Sequence, residues 1–592
     1  VKTATMNTIL AKYLNNKNII YICLAIIVCT FVVNYISIFD FKPDLNGDNV
    51  HYYALGKAIA SGKGYTNIMF LEESPHSHFP PGYPLFTAFI LLLFKSYTAL
   101  KIANGVLFGL SILLLFFLTK RISGNLLLAL LTCLLCCMQQ ALLRYSTIVM
   151  SEMLFTFLSL GVLYLISLLD TDRLFGKDRS RRQILYFIGI IIGLNYIYFV
   201  RTMGTSIILA VILYMLIICG QKALVWFKSK RANLDHQVVH LNKRAFTGNL
   251  ITLCIIVASF AGAKTAWDLR NKSIGVTQSD YLKDFKKKPK GQTMETFSDW
   301  TERIQHNLTG YVGKWIPTAV ISDEPAFDQK VTNKDLVKGT CIVILMLLGL
   351  IALPHLKLLL FLYIGITMAV LMIWPEQYAG HRYFIGIIPL FIFLCLNGCL
   401  EVLRLLSRKL PQSKPIQWLP AGGILLIVFF FLFPQYVKAL KPQQNFATYK
   451  AWNEKIADAA FVEYIYAINW CKKNLPDTAR IACRKPDLFY LFSGGRKSTS
   501  FPQYATPEEL LKNFEDKNVS HVIIDRWFRH GYVTVYPTVQ KYPNRFKPLI
   551  QIGQNTRKQL PTLIFQFSPA VRTLPESAPE TQTHPIPKAI PK

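Results

Sequence analysis

The chain alternates long apolar runs with short polar connections. The runs lie near 19–39, 98–119, 125–143, 150–169, 184–200, 204–220, 248–263, 338–353, 357–374, 383–400 and 418–433. Most hold roughly 17–23 residues, enough to cross about 30 Å of hydrocarbon as a helix rising about 1.5 Å per residue. The pattern predicts a polytopic α-helical membrane protein with about eleven spans. The first run, Ile19–Phe39, is too long for a signal-peptide core. It is followed by "DFKPDL" rather than a small-residue cleavage site, so it is expected to remain as a span.

Two long connections and a C-terminal segment break the rhythm. Residues 40–97 form a long first outer loop and 264–335 a second one. Residues 1–440 read as a transmembrane domain and 441–567 as a small α/β domain. In the latter, "WNEKIADAAFVEYIYAINWCKKN" is helical, while "ARIAC", "SHVIID" and "TLIFQF" read as strands. "TPEELLKNF" starts a helix with Thr506 as cap and Pro507 behind it. The Pro- and Thr-rich tail 568–592 is expected to be disordered. In the first loop, Asn49–Ala60 has helical spacing with Asp48 at or near its N-cap; "GKGY" breaks it and "FPPGYP" holds the chain extended. The run Tyr83–Phe94 is short for a span and suits an interfacial helix.

Composition agrees: 52% of the 592 residues are hydrophobic and 17% charged, which is rare for a soluble protein of this size. The net charge of +31 is explained by topology. Alternate connections carry Lys2, Lys12 and Lys17, Lys120 and Arg121, Arg173 to Arg182, Lys222 to Arg244, Lys357, and Arg404 to Lys414. The positive-inside rule places these in the cytoplasm, with the N-terminus inside and the C-terminal domain outside. Basic residues scattered over separate loops argue against nucleic acid as a partner. The "DFKKKPK" run (284–290) reads first as solvated, with attraction to anionic lipid or an acidic acceptor as the alternative. Ten of the twelve cysteines lie in or beside spans, where apolar packing is the default. Cys471 and Cys483 fall in the external segment, and their spacing leaves a disulfide open.

Span interiors hold almost no charge, and the exceptions gather at one end. Arg144, Glu152, Arg201, Lys264, Asp268, Arg270, Glu376, His381 and Arg382 all fall at the outer boundary in this topology. A transporter would place binding groups near the midplane and usually show an internal repeat; neither is visible. The pattern suits an enzyme acting on a lipid-linked head group, although any one of these residues could serve as an interfacial anchor. Arginine offers planar, permanently charged donors for phosphate oxygens. No Walker A, dinucleotide or HExxH signature is present.

An Asp followed by "YY", then "GKGY" and "FPPGYPLFTAF", resembles the first outer loop of the polyprenyl-phosphate-sugar glycosyltransferases of the GT-C superfamily. Protein O-mannosyltransferases and the aminoarabinose transferases acting on lipid A are its best-known branches. "MSEMLFTFL" (150–158), "NYIYFVRTMG" (195–204), "AWDLRN" (266–271), "HRYFIGIIPLFIF" (381–393) and "WCKKNLPDTARIACRKPDLFYLFSG" (470–494) are similar to later motifs, in order. The resemblance covers most of the chain.

It implies a GT-C fold and an integral-membrane glycosyltransferase in the cell (inner, cytoplasmic) membrane with an extracytoplasmic active site. The donor is a sugar on a polyprenyl phosphate such as undecaprenyl phosphate; the acceptor is a protein, lipid A or another glycan. Asp48 takes the catalytic position, and Arg382, Arg270 and then Arg201 are assigned to the donor phosphate. His78, Glu152, Tyr53 and Tyr383 are further site candidates; His78 either faces the site or stands on a solvated loop. Two departures stand out. Asp48-Asn49 replaces the adjacent Asp-Glu of the O-mannosyltransferases, and the acid-Lys pair before the prolines in the aminoarabinose branch is absent. No cofactor or metal ligand is assigned, and divalent-metal dependence stays open. An oligosaccharide ligase or polymerase of this architecture, or a lipid-linked-sugar transporter or flippase, are the alternatives.

Overall fold

The computed structural model describes residues 17–569 apart from 46, 175–179, 233, 277–284, 286–292, 295, 323–328, 377–379, 411–413, 528–529 and 555–559, together with 583–584. Phe285 aside, the "DFKKKPK" run lies outside the described residues, as do Lys2 and Lys12.

In chain order the main helices are α1 (Lys17–Ile38), α2 (Gly47–Ala60), α3 (Gly82–Phe94), α4 (Tyr97–Ser123), α5 (Leu126–Cys136), α6 (Gln140–Ser146), α7 (Glu152–Leu168), α8 (Arg181–Val200), α9 (Gly204–Arg231) and α10 (His236–Ser273). They continue with α11 (Phe297–Gly310), α12 (Asn333–Ile351), α13 (Lys357–Ile373), α14 (Ile388–Arg408, after a 3-10 turn His381–Ile387) and α15 (Trp418–Ala447). Helices α16 (Ala459–Asn474), α17 (Pro486–Ser493) and α18 (Pro507–Asp516) follow.

Seven helices among the described residues are long and apolar enough to cross a membrane: α1, α4, α8, α9, α10, α14 with its 3-10 turn, and α15. The other four expected spans differ for identifiable reasons. The third is a pair, α5 and α6, bent by 62°. The break is built by Gln139, whose side chain caps α6 by accepting from the Leu142 amide at 2.8 Å. The fourth and ninth, α7 and α13, are apolar but only 17 residues long. The eighth, α12, begins with a Thr332/Asp335 capping box and carries Lys334, Asp335 and Lys338 in its first turns. Its other end packs backbone to backbone on α14. A Cβ on Gly349 would lie 2.0 Å from the Leu394 carbonyl oxygen, and one on Gly398 1.9 Å from that of Leu345. Asn397 donates to the Gly349 carbonyl at 2.7 Å. Small residues and one polar bond are what holds helices together where lipid removes the hydrophobic drive.

The chain divides into two compact units. The first comprises residues 1–39, 77–83 and 100–445, and the second 40–76, 84–99 and 446–592. The chain enters the second unit for the last time at 446. Most of the first outer loop, all but 77–83, also belongs to that unit, a pairing across some four hundred residues that no local pattern announces.

The second unit is built on a six-stranded sheet in the order β2 (Ser498–Thr499), β1 (Ile481–Ala482), β3 (His521–Ile524), β5 (Thr562–Phe567), β4 (Phe546–Ile552), β6 (Thr583–His584). Strand β1 runs parallel to β2 and β3, while β5 is antiparallel to β3 and β4. Most of the tail lies outside the described residues; Thr583–His584, within the stretch expected to be disordered, instead pair parallel with β4. The expected Thr506 cap is present as a full capping box with Glu509, and Pro507 follows it.

One core of this unit joins Val50 of α2 to Phe461, Ile465 and Ile468 of α16 and to Ile523 and Ile564 of the sheet. Residue Phe70 forms a bridge to Ser498, and Glu73 pairs with Lys497 at 2.6 Å and Lys63 at 2.7 Å. The hydrogen bonds from Lys497 and Lys63 hold the Glu73 carboxyl below its usual range. That tie is therefore present at neutral pH and lost as pH falls through the lowered value. Cys471 and Cys483 are buried free thiols in the same core, so no disulfide joins them; burial pushes both up to about 12.

Arg526 grips the buried Glu463 carboxylate with Nε at 2.7 Å and Nη2 at 2.8 Å. Replacing Arg526 by Ala leaves that charge without its bidentate partner. The expected loss is about 3–5 kcal/mol in the unfolding of this unit. Thermal melts of Arg526→Ala and Arg526→Ala/Glu463→Gln check it: the double variant should recover part of the loss, and equal melting of Arg526→Ala and wild type counts against it.

Candidate active site

Three sequence candidates converge in the first unit. Glu152 opens α7 and is 1% exposed. Arg201 is the extended residue that ends α8. Arg382 stands in the 3-10 turn that leads into α14. Arg201 Nη1 lies 2.6 Å and Arg382 Nε 2.8 Å from the same oxygen, Glu152 Oε1. Ser151, at the N-cap position of α7, makes no capping bond; its hydroxyl accepts from Arg201 at 3.0 Å. A buried carboxylate needs such compensation, and the short charge-assisted bonds supply it. Two guanidinium groups on one carboxylate leave the cluster with net charge +1. Their side chains are 11% and 24% exposed, so that charge is shielded from bulk water yet reachable.

The turn that carries Arg382 is packed by aromatic rings. His381 lies 6.2 Å from Tyr145 and 5.8 Å from Trp315, centroid to centroid. Tyr311 accepts from the Gly380 amide, and Tyr383 packs on Trp374 at 5.8 Å. Arg303, 1% exposed, donates to the Phe285 carbonyl, and Asn307 to the carbonyls of Leu371, Met372 and Trp374 at the end of α13. Sequence reading did not single out Arg303 or Asn307. Four residues apart on a polar helix, they look like any solvated face.

Asp48 lies in the second unit. It is the second residue of α2, inside the first turn rather than at the N-cap, and half-buried. The positive end of the helix dipole favours a carboxylate there. The turn is fixed by a buried network: Asn49 donates to the Asp44 carbonyl at 3.1 Å and to the Tyr97 hydroxyl at 2.8 Å, and Tyr97 donates to the Asp44 carboxylate at 3.0 Å. So Asn49, where the O-mannosyltransferases have a second acid, anchors the backbone beside Asp48. Tyr53 packs edge-on against Tyr97 at 5.3 Å, one turn further along α2.

Arg270 is not bonded to Glu152. It lies near the end of α10, its guanidinium 5.2 Å over the Trp267 ring and donating to Asn271. His78 sits on the turn before Pro80, edge-on to Phe79 at 4.7 Å. Among the described residues no group of three His, Cys, Asp or Glu side chains could hold a metal ion.

No protein-family model matches the chain and no curated protein matches it in sequence. Solved structures match it in fold. The archaeal oligosaccharyltransferase AglB from Archaeoglobus fulgidus, in complex with an inhibitory peptide and a dolichol-phosphate, aligns with TM-score 0.50 and 13% identity over 94% of this chain and 75% of that one. The apo form of the Archaeoglobus fulgidus oligosaccharyltransferase gives TM-score 0.52 and 14% identity over 95% and 76%. ArnT from Cupriavidus metallidurans bound to undecaprenyl phosphate gives TM-score 0.53 and 10% identity over 95% and 100%. AglB and ArnT are glycosyltransferases of the GT-C superfamily, and at these identities the likeness is one of fold. The chain has the GT-C fold and the apolar helices of a multi-pass membrane protein.

Proposed function

We propose that this protein is an integral-membrane glycosyltransferase that moves a sugar from a polyprenyl-phosphate carrier to an acceptor outside the cytoplasmic membrane. The observation that carries the reading is the Arg201–Glu152–Arg382 cluster, a shielded net positive charge at helix ends. Its place at helix ends favours an enzyme for a lipid head group over a transporter, which needs groups near the midplane. That AglB is seen with a dolichol-phosphate and ArnT with undecaprenyl phosphate supports the same donor class.

In this reaction the acceptor oxygen attacks the anomeric carbon while the carbon–oxygen bond to the lipid phosphate breaks. Asp48 accepts the acceptor's proton. Arg382 and Arg201 take up the charge that develops on the leaving phosphate. Arg270, stacked on Trp267, is kept as a further phosphate contact. A single displacement inverts the anomeric centre and needs one carboxylate.

The test is an assay of purified protein with defined lipid-linked sugars, reading release of polyprenyl phosphate and a glycosylated acceptor. A panel of lipid-linked monosaccharides and oligosaccharides also separates the transferase from an oligosaccharide ligase. Movement of intact lipid-linked sugar across vesicles, with no release of phosphate, would replace the enzyme with a flippase.

The topology carries its own prediction. Because Cys471 is buried, an Asp477→Cys variant, whose site is 96% exposed, is the better reporter. It should react with an impermeant maleimide in intact cells, while Arg404→Cys should react only after permeabilisation. The reverse pattern inverts the orientation and removes the extracytoplasmic acceptor.

A further inference from the structure

Residues Gly82 and Tyr83 of the "FPPGYP" stretch reach two of the three elements that build the arginine cluster, Gly82 directly and Tyr83 through Asn104. The Tyr83 hydroxyl donates to Asn104 Oδ1 at 3.1 Å. Asn104 is fully buried on α4, and its amide nitrogen donates to the carbonyls of Ile148 and, at 3.1 Å, Met150. Those carbonyls belong to the short turn that delivers Ser151 and Glu152. On its other side, the Gly82 carbonyl accepts from the Tyr196 hydroxyl of α8 at 2.9 Å. A Cβ on Gly82 would lie 2.6 Å from the Phe199 carbonyl carbon and 2.8 Å from the Val200 amide nitrogen. Phe199 and Val200 directly precede Arg201.

We infer that Gly82, Tyr83 and Asn104 form a clamp that sets the spacing of Glu152 and Arg201, and with it the affinity of the cluster for a phosphate group. This rests on the donor-phosphate reading above. The physical reason is angular. Arg201 must satisfy Glu152 and Ser151 and still present N–H groups to a ligand. A guanidinium fork loses that ability when its base shifts by a fraction of a bond length. The clamp fixes both ends: one hydrogen-bond chain runs to the Glu152 turn, and one contact with no side chain between runs to the backbone before Arg201. No residue with a Cβ fits the second contact unless the 199–200 backbone moves. These three are positioning residues, since they act through Glu152 and Arg201 rather than on the substrate.

The experiment measures binding of undecaprenyl phosphate and of uncharged undecaprenol to the purified full-length protein, alongside thermal unfolding. Tyr83→Phe removes one hydroxyl and Gly82→Ala pushes on the Arg201 segment. Each should weaken the phosphate lipid by about tenfold, the loss of one hydrogen bond's worth of alignment. Undecaprenol binding should stay at the wild-type level. Asn104→Ala should weaken the phosphate lipid further; if it does not fold, Tyr83→Phe decides alone. Wild-type phosphate affinity in Tyr83→Phe, or equal loss for both lipids, overturns the clamp. Arg382→Ala is the reference. If it too binds the phosphate lipid as wild type does, the donor-phosphate reading falls; if only Arg382→Ala loses affinity, the clamp alone falls.

Discussion

Asp48→Asn should lower turnover by about 10²–10⁴, the range for a lost general base, with expression and melting close to wild type. The structure sharpens the comparison. Asp48 stands in the first turn of α2, where its charge interacts with the helix dipole, worth about 0.3–1 kcal/mol at a half-exposed site. Asparagine keeps the size, and Asn49, Asp44 and Tyr97 continue to hold the turn. A structural role therefore predicts a small change in melting and none in rate. A catalytic role predicts the reverse. The rate effect should shrink if the acceptor is itself a phosphate, because such a nucleophile is already ionised. Full activity of Asp48→Asn on a hydroxyl acceptor would end the proposed mechanism.

Arg382→Ala should cost a factor of about 10²–10³ in turnover, as removal of one donor from a developing anion does. Arg201 remains on Glu152 Oε1, so the buried carboxylate keeps one guanidinium and the protein should fold. The cluster then carries no net charge, which is why the loss should appear in kcat rather than only in KM. Arg382→Lys should fall between: it restores the charge but not the planar fork through which Nε meets Glu152. Rate constants for the two variants, with melting temperatures as control, check this. A folded Arg382→Ala protein with wild-type kcat excludes Arg382 from the site.

The long apolar helices were legible because uncharged runs of roughly 16–22 residues have few other uses. The polar residues at their ends were legible as a set, since charge beside hydrocarbon is expensive. Which of them meet was not. Arg201 and Arg382 join Glu152, whereas Arg270, given the same role, stacks on Trp267 instead. All three are arginines at helix ends, and only tertiary packing distinguishes them. In the second unit, β1, β3 and β5 followed from their apolar runs, but β4 did not. Lys547 and Pro548 break its alternation, and the structure accommodates them at an irregularity in the register with β5 between Pro548 and Ile550. The membership of α2 in that unit is a contact between distant parts of the chain, and local sequence holds no record of it.

The glycine contact between α12 and α14 bears on how the protein is made. Between Gly339 and Ile351 the helix α12 offers an uncharged length of about 20 Å, against roughly 30 Å of hydrocarbon. Alone it is a poor candidate for leaving the translocon sideways into lipid. Its partner α14 is synthesised later, so insertion of α12 as the expected eighth span is predicted to complete only when Gly398 meets Gly349. In a cell-free insertion assay, a chain stopped after α13 should leave α12 incompletely inserted, and extension through α14 should complete it. Gly398→Leu should block that completion without touching any residue of the proposed chemistry. A variant lost in this way would vanish from the membrane fraction rather than appear there inactive, and screens for activity alone would misread it as a site residue.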